Sequence, residues 1–291
     1  MEKIMLTGAT GQLGTDVVNL LIKKVDPKNI SALVRDISKA EKLKEKGITV
    51  FKGDYNDYDS LMNAFKGIDK LYFISGSDLT AREKQQENVV NAAIEAKVKH
   101  VIYTGFQRKN ETSSSPIEFI AKAHLSTEKL LKSSGMNFTI LNHGLYMEFL
   151  LGIFGEQFKK NHTIFFPAGN GKVAFTLRSD LAAGAVEILT TKGHENKVYN
   201  FFSEKNYSFS DIARILSQIL GKEVSYVSPT REEYKMALSK AQMPEIYINL
   251  FGGFAEAIRQ GEFDATDTIL SNLLGRNCVT AEEFLKNVYQ K

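Results

Sequence analysis

At 291 residues the chain can hold one large domain, or a domain with a smaller lobe. Its 37 Lys and Arg against 34 Asp and Glu leave a net charge of +3 with no dense basic stripe, which argues against nucleic acid as a partner. One cysteine, Cys278, excludes internal disulfides and a cysteine-based zinc cluster, and no metal is expected.

The apolar run Lys3–Thr7 reads as a strand and leads into Gly8-Ala9-Thr10-Gly11-Gln12-Leu13-Gly14, then the helical stretch 12–24. Three glycines at three-residue spacing let the backbone turn tightly and approach a ligand closely. The helix N-terminus then offers free N–H groups and a positive dipole end to a phosphate. The second strand, Ile30–Val34, ends in Arg35. An acid at this place binds the 2′-hydroxyl of NAD, whereas an Arg suits the 2′-phosphate of NADP, so NADP(H) is expected. Asp36 follows directly and could blunt the preference.

Further strands are expected at Thr49–Phe51, Lys70–Ile74, His100–Thr104 and Phe138–Asn142, with helices near 38–46, 57–66, 81–96 and 116–133. Strand–helix alternation with nearly continuous apolar strands predicts an α/β fold, a doubly wound parallel sheet of Rossmann type covered on both faces. Ligands of such sheets sit beyond the strand C-termini, so functional residues should follow Thr7, Val34, Ile74, Thr104 and Asn142.

From residue 146 the pattern is less regular. Helices are expected near 146–160, 178–190, 208–220, 230–242, 245–260 and 280–288, with strand-like pieces at Ile164–Phe166, Lys197–Asn200 and Val224–Val227 and a turn at 167–172. This divides the chain into a nucleotide-binding domain, 1–145, and a mainly helical substrate lobe, 146–291, with a cleft between them and segments free to return to the first sheet. The polar run Lys109–Ser115 reads as a solvated connection or as a lid over that cleft. No stretch approaches the roughly 20 apolar residues of a membrane span. The chain opens directly on a strand, without a charged leader and cleavable apolar stretch, so a cytoplasmic protein is expected. A homodimer is one arrangement the sequence leaves open.

Many reductases of this architecture protonate the nascent alkoxide with a Tyr assisted by a Lys four residues later. No tyrosine here has Lys at that spacing; Ile120 stands in the Tyr place and His124 in the Lys place. Hydride addition to a quinone gives a phenolate, whose conjugate acid titrates near ~10, so water can complete the transfer, and a cationic dye needs no proton at all. The chain therefore favours acceptors whose reduced form is already stable. His124 is the candidate proton donor, or a hydrogen-bond partner for the nicotinamide ribose. Lys122 reads as a solvated helix face, and Asp180 as a structural first-turn acid. The turn Asn142-His143-Gly144-Leu145-Tyr146 should enter the cleft, where His143 and Tyr146 could touch the nicotinamide or the acceptor. Phe106, Tyr146, Phe149, Phe154, Phe165 and Phe166 are candidate walls for an aromatic acceptor.

The segments Gly8–Gly14, Val34-Arg35, Gly53-Asp54-Tyr55, Phe73-Ile74-Ser75-Gly76, Tyr103-Thr104-Gly105, His124-x-x-Thr127-Glu128 and Gly193–Tyr199 together resemble the atypical short-chain dehydrogenase/reductases of the NmrA-like branch, in particular its bacterial reductases of quinones and triphenylmethane dyes. The resemblance implies NADPH contacts at Gly8, Thr10, Gly11, Gln12, Leu13 and Arg35, at Asp54 on the adenine side, and at Ser75-Gly76 near the ribose. It places the 142–146 turn, with His143, Gly144 and Tyr146, near the nicotinamide, and Thr104 is a further candidate cofactor contact. The branch lacks the Tyr/Lys pair. It carries Arg-Asn where this chain has Asn142-His143. Three functions follow: an NADPH-dependent reductase of conjugated aromatic acceptors, a non-catalytic NADP(H) sensor acting on a partner, or a carbonyl or imine reductase or epimerase using His124 or Lys122 as acid.

Overall fold

The computed structural model describes residues 2–290. In chain order the elements are β1 (Ile4–Thr7), α1 (Gln12–Leu21), β2 (Ile30–Val34), α2 (Glu41–Glu45), β3 (Thr49–Lys52), α3 (Tyr58–Phe65), β4 (Lys70–Phe73), α4 (Arg82–Glu95), β5 (His100–Phe106), α5 (Glu118–Ser133), β6 (Asn137–His143), α6 (Phe149–Asn161), β7 (Thr163–Phe165), β8 (Lys172–Val173), α7 (Arg178–Thr190), β9 (Lys197–Phe201), β10 (Tyr207–Ser208), α8 (Phe209–Leu220), β11 (Ser225–Val227), α9 (Arg231–Lys240), α10 (Glu245–Arg259), α11 (Ile269–Leu274) and α12 (Ala281–Tyr289). They form two compact units that interleave along the chain. The first comprises Met1–Phe106, Phe119–His143 and Arg178–Phe201, and the second Gln107–Glu118, Gly144–Leu177 and Phe202–Lys291.

The first unit is a seven-stranded sheet in the order β3-β2-β1-β4-β5-β6-β9, with every neighbouring pair parallel. This is the doubly wound α/β fold that the alternation predicts. Its first six strands follow the pattern, and the seventh, β9, returns from the later half of the chain. On one face α3, α4 and α5 bury Leu61, Phe65, Val89, Ala93 and Leu131 against Met5, Leu71, Phe73 and Val101 of the strands. Burying each of these Leu, Phe, Val and Met side chains contributes about 1.5–3 kcal/mol. Away from that core, α1 packs on α7. The strand order reverses between β1 and β4, which puts the ligand crevice of such a sheet at their C-terminal ends.

The N-terminal ends of the central strands β4 and β5 hold two buried polar groups. Lys70 donates to the Leu189 carbonyl (3.0 Å) and pairs with Glu2 (2.8 Å). His100 shares a hydrogen bond with Thr139 Oγ1 (2.8 Å), and burial pushes its pKa down to about 4.

The second unit carries two short sheets, parallel β7–β11 and antiparallel β8–β10, among α6 and α8 to α12. Ser208, Thr230 and Thr280 open α8, α9 and α12 with capping boxes closed by Asp211, Glu233 and Glu283. Periodicity does not predict α11, which at six residues is too short to show it. Two of the candidate acceptor walls belong instead to this unit's core: Phe166 is fully buried against Phe209 and Tyr234, and Phe154 packs on Phe158. Aromatic character alone does not separate a pocket wall from a core residue. No helix among the described residues is long and apolar enough to cross a membrane.

Candidate active site

The glycine turn joins β1 to α1. Gly8 has φ +62°, a conformation that favours glycine. A Cβ on Gly14 would lie 2.2 Å from the Gly8 carbonyl oxygen, so the helix starts where only glycine fits against the strand end. Gly11 N–H donates to Gly8 O (3.0 Å) and closes the turn. Gly11 is also the N-cap of α1, without a side-chain cap and without an acid in the first turn. Its position leaves the first-turn N–H groups and the positive helix end available to an anion. Thr10, Gly11 and Gln12 are exposed, while Leu13 is anchored in the core. This cradle fits a dinucleotide pyrophosphate.

Arg35 is exposed at the end of β2 and carries no ion pair among the described residues. Asp36 turns one carboxylate oxygen to Ser38. Its carboxylate accepts from Ser38 N–H (3.0 Å) and Ser38 Oγ (2.6 Å), and these bonds hold its pKa below the usual carboxylate range. The neighbouring Asp54 is similarly engaged at Oδ1 by Asn56 N–H (2.8 Å), and Tyr55 donates to Ile74 O (2.8 Å).

The end of β4 is clipped on both sides. Thr7 Oγ1 accepts from Ile74 N–H (3.0 Å) and Thr104 Oγ1 accepts from Ser75 N–H (2.8 Å). A Cβ on Gly8 would meet the Ile74 side chain at 3.2 Å, so the Ile74–Gly76 segment lies against the glycine turn. Gly76 sits beside Gln85 and the Tyr55 ring.

At the end of β5, Phe106 stacks on His124 of α5 (ring centroids 5.8 Å apart, 23° between planes). His124 is only 3% exposed, and its Nδ1 lies 2.7 Å from the Tyr103 hydroxyl. That hydroxyl donates to Gln86 Oε1 (3.2 Å), and Gln86 Nε2 donates to Ala123 O (3.0 Å) and Thr127 Oγ1 (2.8 Å). Burial raises the Tyr103 pKa far above the usual phenol. Arg82, at the start of α4, faces Tyr103 and Asp78, and burial lowers its pKa. Lys122 points away to an exposed ion pair with Glu83 (3.1 Å). Asp180 is fully buried in the first turn of α7.

At the end of β6, His143 is buried and stacks on Phe201 (6.1 Å, 6°); burial pushes its pKa down to about 3, so it is neutral at pH 7. Asn142 Oδ1 has no hydrogen-bond partner among the described residues, and a Cβ on Gly105 would meet it at 2.8 Å. In the second unit, Gly144 is buried and Tyr146 is bridged to Thr176. Phe149 is half-buried against Phe251 and Phe254 (5.6 and 5.2 Å), and Phe165 is 37% exposed beside Tyr234. The 109–115 segment is held at its start, where Glu262 accepts from the N–H groups of Lys109 (2.8 Å) and Asn110 (2.9 Å). Among the described residues no cluster of three His, Cys, Asp or Glu could hold a metal.

A family model for the NmrA-like family matches residues 1–285. The chain belongs to the NmrA-like family. Quinone oxidoreductase 2 of Escherichia coli is 35% identical over 98% of this chain and 98% of its own length. The crystal structure of triphenylmethane reductase from Citrobacter sp. superposes with a TM-score of 0.92 at 38% identity, covering 99% of this chain and 100% of that one. The E. coli NADPH-dependent quinone oxidoreductase complexed with NADPH also superposes with a TM-score of 0.92, at 33% identity, covering 98% and 99%.

Within this NmrA-like chain the first unit brings together Gly8–Gly14, Arg35, Asp54, Ser75-Gly76, Thr104, Phe106, His124 and His143. Gly144, Tyr146 and Phe149 fall in the second. Sequence reasoning missed Gln86, Tyr103 and Arg82. A signal existed for Gln86: it shares the buried stripe of α4 with Val89, Val90 and Ala93, and a polar residue on such a stripe needs partners. Gln107, buried with neither amide atom paired among the described residues, was also missed.

Proposed function

We propose that this protein is an NADPH-dependent reductase that passes a hydride to a quinone or another conjugated aromatic acceptor, triphenylmethane dyes included. When bound, the dihydronicotinamide supplies the hydride. The uncapped start of α1 and the Gly8–Gly14 turn hold the pyrophosphate, and Arg35 takes the 2′-phosphate. Asp54 flanks the adenine side, and Ser75, Gly76 and Thr104 line the ribose. His143, Gly144 and Tyr146 attend the nicotinamide end. Phe106, Tyr146 and Phe149 offer apolar surface to the acceptor, and His124 supplies a proton where the reduced acceptor needs one.

The observation that carries this reading is the chemistry standing in place of the Tyr/Lys pair. Ile120 and His124 occupy one face of α5, and His124 is buried under Phe106. A single imidazole suits acceptors whose reduced form is already a stabilised anion or a neutral molecule. The relatives support it, since a quinone oxidoreductase and a triphenylmethane reductase stand among them.

The test is NADPH consumption at 340 nm with a panel of quinones and triarylmethane dyes. The expected result is turnover with members of both groups. Tight NADP(H) binding with no turnover on any of them overturns the reading in favour of a nucleotide sensor.

A further inference from the structure

The chain of hydrogen bonds behind His124 has a direction. The Ala123 carbonyl can only accept, so the Gln86 atom facing it at 3.0 Å must be the amide nitrogen. Gln86 Oε1 is then turned to the Tyr103 hydroxyl and can also only accept, so Tyr103 spends its single proton there. Were the Tyr103 proton given to His124 instead, Gln86 Oε1 would face a phenol oxygen with no proton between them, in a site closed to water. Its proton committed, the Tyr103 oxygen accepts across the 2.7 Å contact, and His124 Nδ1 must donate. Two charged groups face Tyr103: Arg82 from α4 and Glu128 from α5. The Arg82 cation favours electron density on the phenol oxygen and the Glu128 carboxylate opposes it more strongly, so the direction of the contact is set by the hydrogen bond to Gln86 and not by the surrounding charges.

We propose that Gln86 and Tyr103 are positioning residues that lock His124 in its Nδ1–H tautomer, making Nε2 the nitrogen that gains and loses the proton. This rests on the reductase reading for its purpose, though not for its geometry. The step balances. Hydride addition turns a quinone into the hydroquinone monoanion, and the Nε2–H bond of imidazolium His124 breaks as a new O–H bond forms. His124 is left neutral with its proton on Nδ1, and a proton from bulk solvent restores the Nε2–H bond after the product leaves. A cationic triarylmethane dye becomes neutral on accepting hydride and draws on none of this.

The decisive measurement is the tautomer of His124 in NADP-saturated protein labelled with 15N-histidine, read from long-range proton–nitrogen correlations above the imidazole pKa. The expected wild-type pattern is protonated Nδ1 and bare Nε2. A wild-type His124 protonated on Nε2 overturns the proposal without any variant being made. In Tyr103→Phe, which keeps the ring, the tautomer ratio should move toward Nε2–H by about fivefold or more, as expected for loss of one hydrogen bond. The same variant should lose about tenfold in kcat with a quinone and less than about twofold with a cationic dye, at an NADPH KM changed by less than about twofold. Equal losses on both acceptors mark a merely structural residue and overturn the proposal. If neither acceptor is turned over by the wild type, the reductase reading fails, and the tautomer measurement still decides the lock.

Discussion

Replacing Arg35 by Ala tests the donor end of the proposed reaction most directly. The guanidinium stands exposed at the end of β2 with no ion pair among the described residues, so it has no other partner to release when a phosphate arrives. The acid next to it, Asp36, is engaged by Ser38 at Oδ1. A hydrogen bond to a charged group is worth about 1.5–3 kcal/mol. Solvent screening at this exposed site puts the expected loss at the low end, about 1.5–2 kcal/mol. At about 1.4 kcal/mol per tenfold, the NADP+ dissociation constant should rise about 10- to 30-fold, while that for NAD+ changes by less than about twofold. Isothermal titration of both nucleotides against wild type and Arg35→Ala measures this. Because the contact is an exposed charge pair, raising the salt should weaken NADP+ binding to the wild type more than to the variant. Equal loss of both nucleotides, or no loss of NADP+ affinity, refutes the assignment of Arg35 to the 2′-phosphate.

Gly14→Ala puts a Cβ 2.2 Å from Gly8 O, so α1 must shift; overpacking of this kind costs about 2 kcal/mol. Differential scanning calorimetry should show a fall in Tm of about 3 °C, and NADP+ should recover less of it than in the wild type. His100 predicts a pH dependence. Its pKa is about 4 folded against 6.5 in the unfolded chain, so its contribution is complete above pH 6.5 and is lost as the unfolded state takes up a proton below it. Between pH 7 and 5, urea unfolding of His100→Asn should lose about 2 kcal/mol less stability than the wild type; parallel losses would show that His100 is not responsible. Glu262→Ala removes the acceptor of two backbone N–H groups, and hydrogen exchange at Lys109 and Asn110 should accelerate about tenfold or more.

The fold was legible because its determinants are local and periodic. Apolar runs mark the strands, Gly8, Gly11 and Gly14 mark the turn between β1 and α1, and Ser208, Thr230 and Thr280 mark helix starts. What escaped was set by pairing between distant segments. Lys197–Asn200 reads as a strand-like piece, and only the register of Lys197–Phe201 against Thr139–His143 makes it the seventh strand of the first sheet. Phe154 and Phe166 read as pocket walls because spacing cannot tell which other aromatic rings will meet them. Asp36 read as able to blunt the preference set by Arg35, and the Ser38 amide that engages its Oδ1 is a feature of backbone conformation that spacing does not record.

The proposed proton donor shows the same division more sharply. His124 stood out because it fills the place of a lysine, yet an imidazole has two nitrogens, and identity alone does not say which one works. That choice is made by Gln86 on α4 and Tyr103 on β5, in turn oriented by the Ala123 carbonyl, the backbone acceptor one residue before His124 itself. Gln86 is unremarkable in the sequence, and Tyr103 stands in the Tyr103-Thr104-Gly105 segment without any mark of this role. The glycine turn works through backbone shape and leaves a signature of spacing. The acid works through a proton's position, which a buried network fixes and spacing does not record. For that reason the hydride-donor end of the site reads from the sequence far better than the proton-donor end.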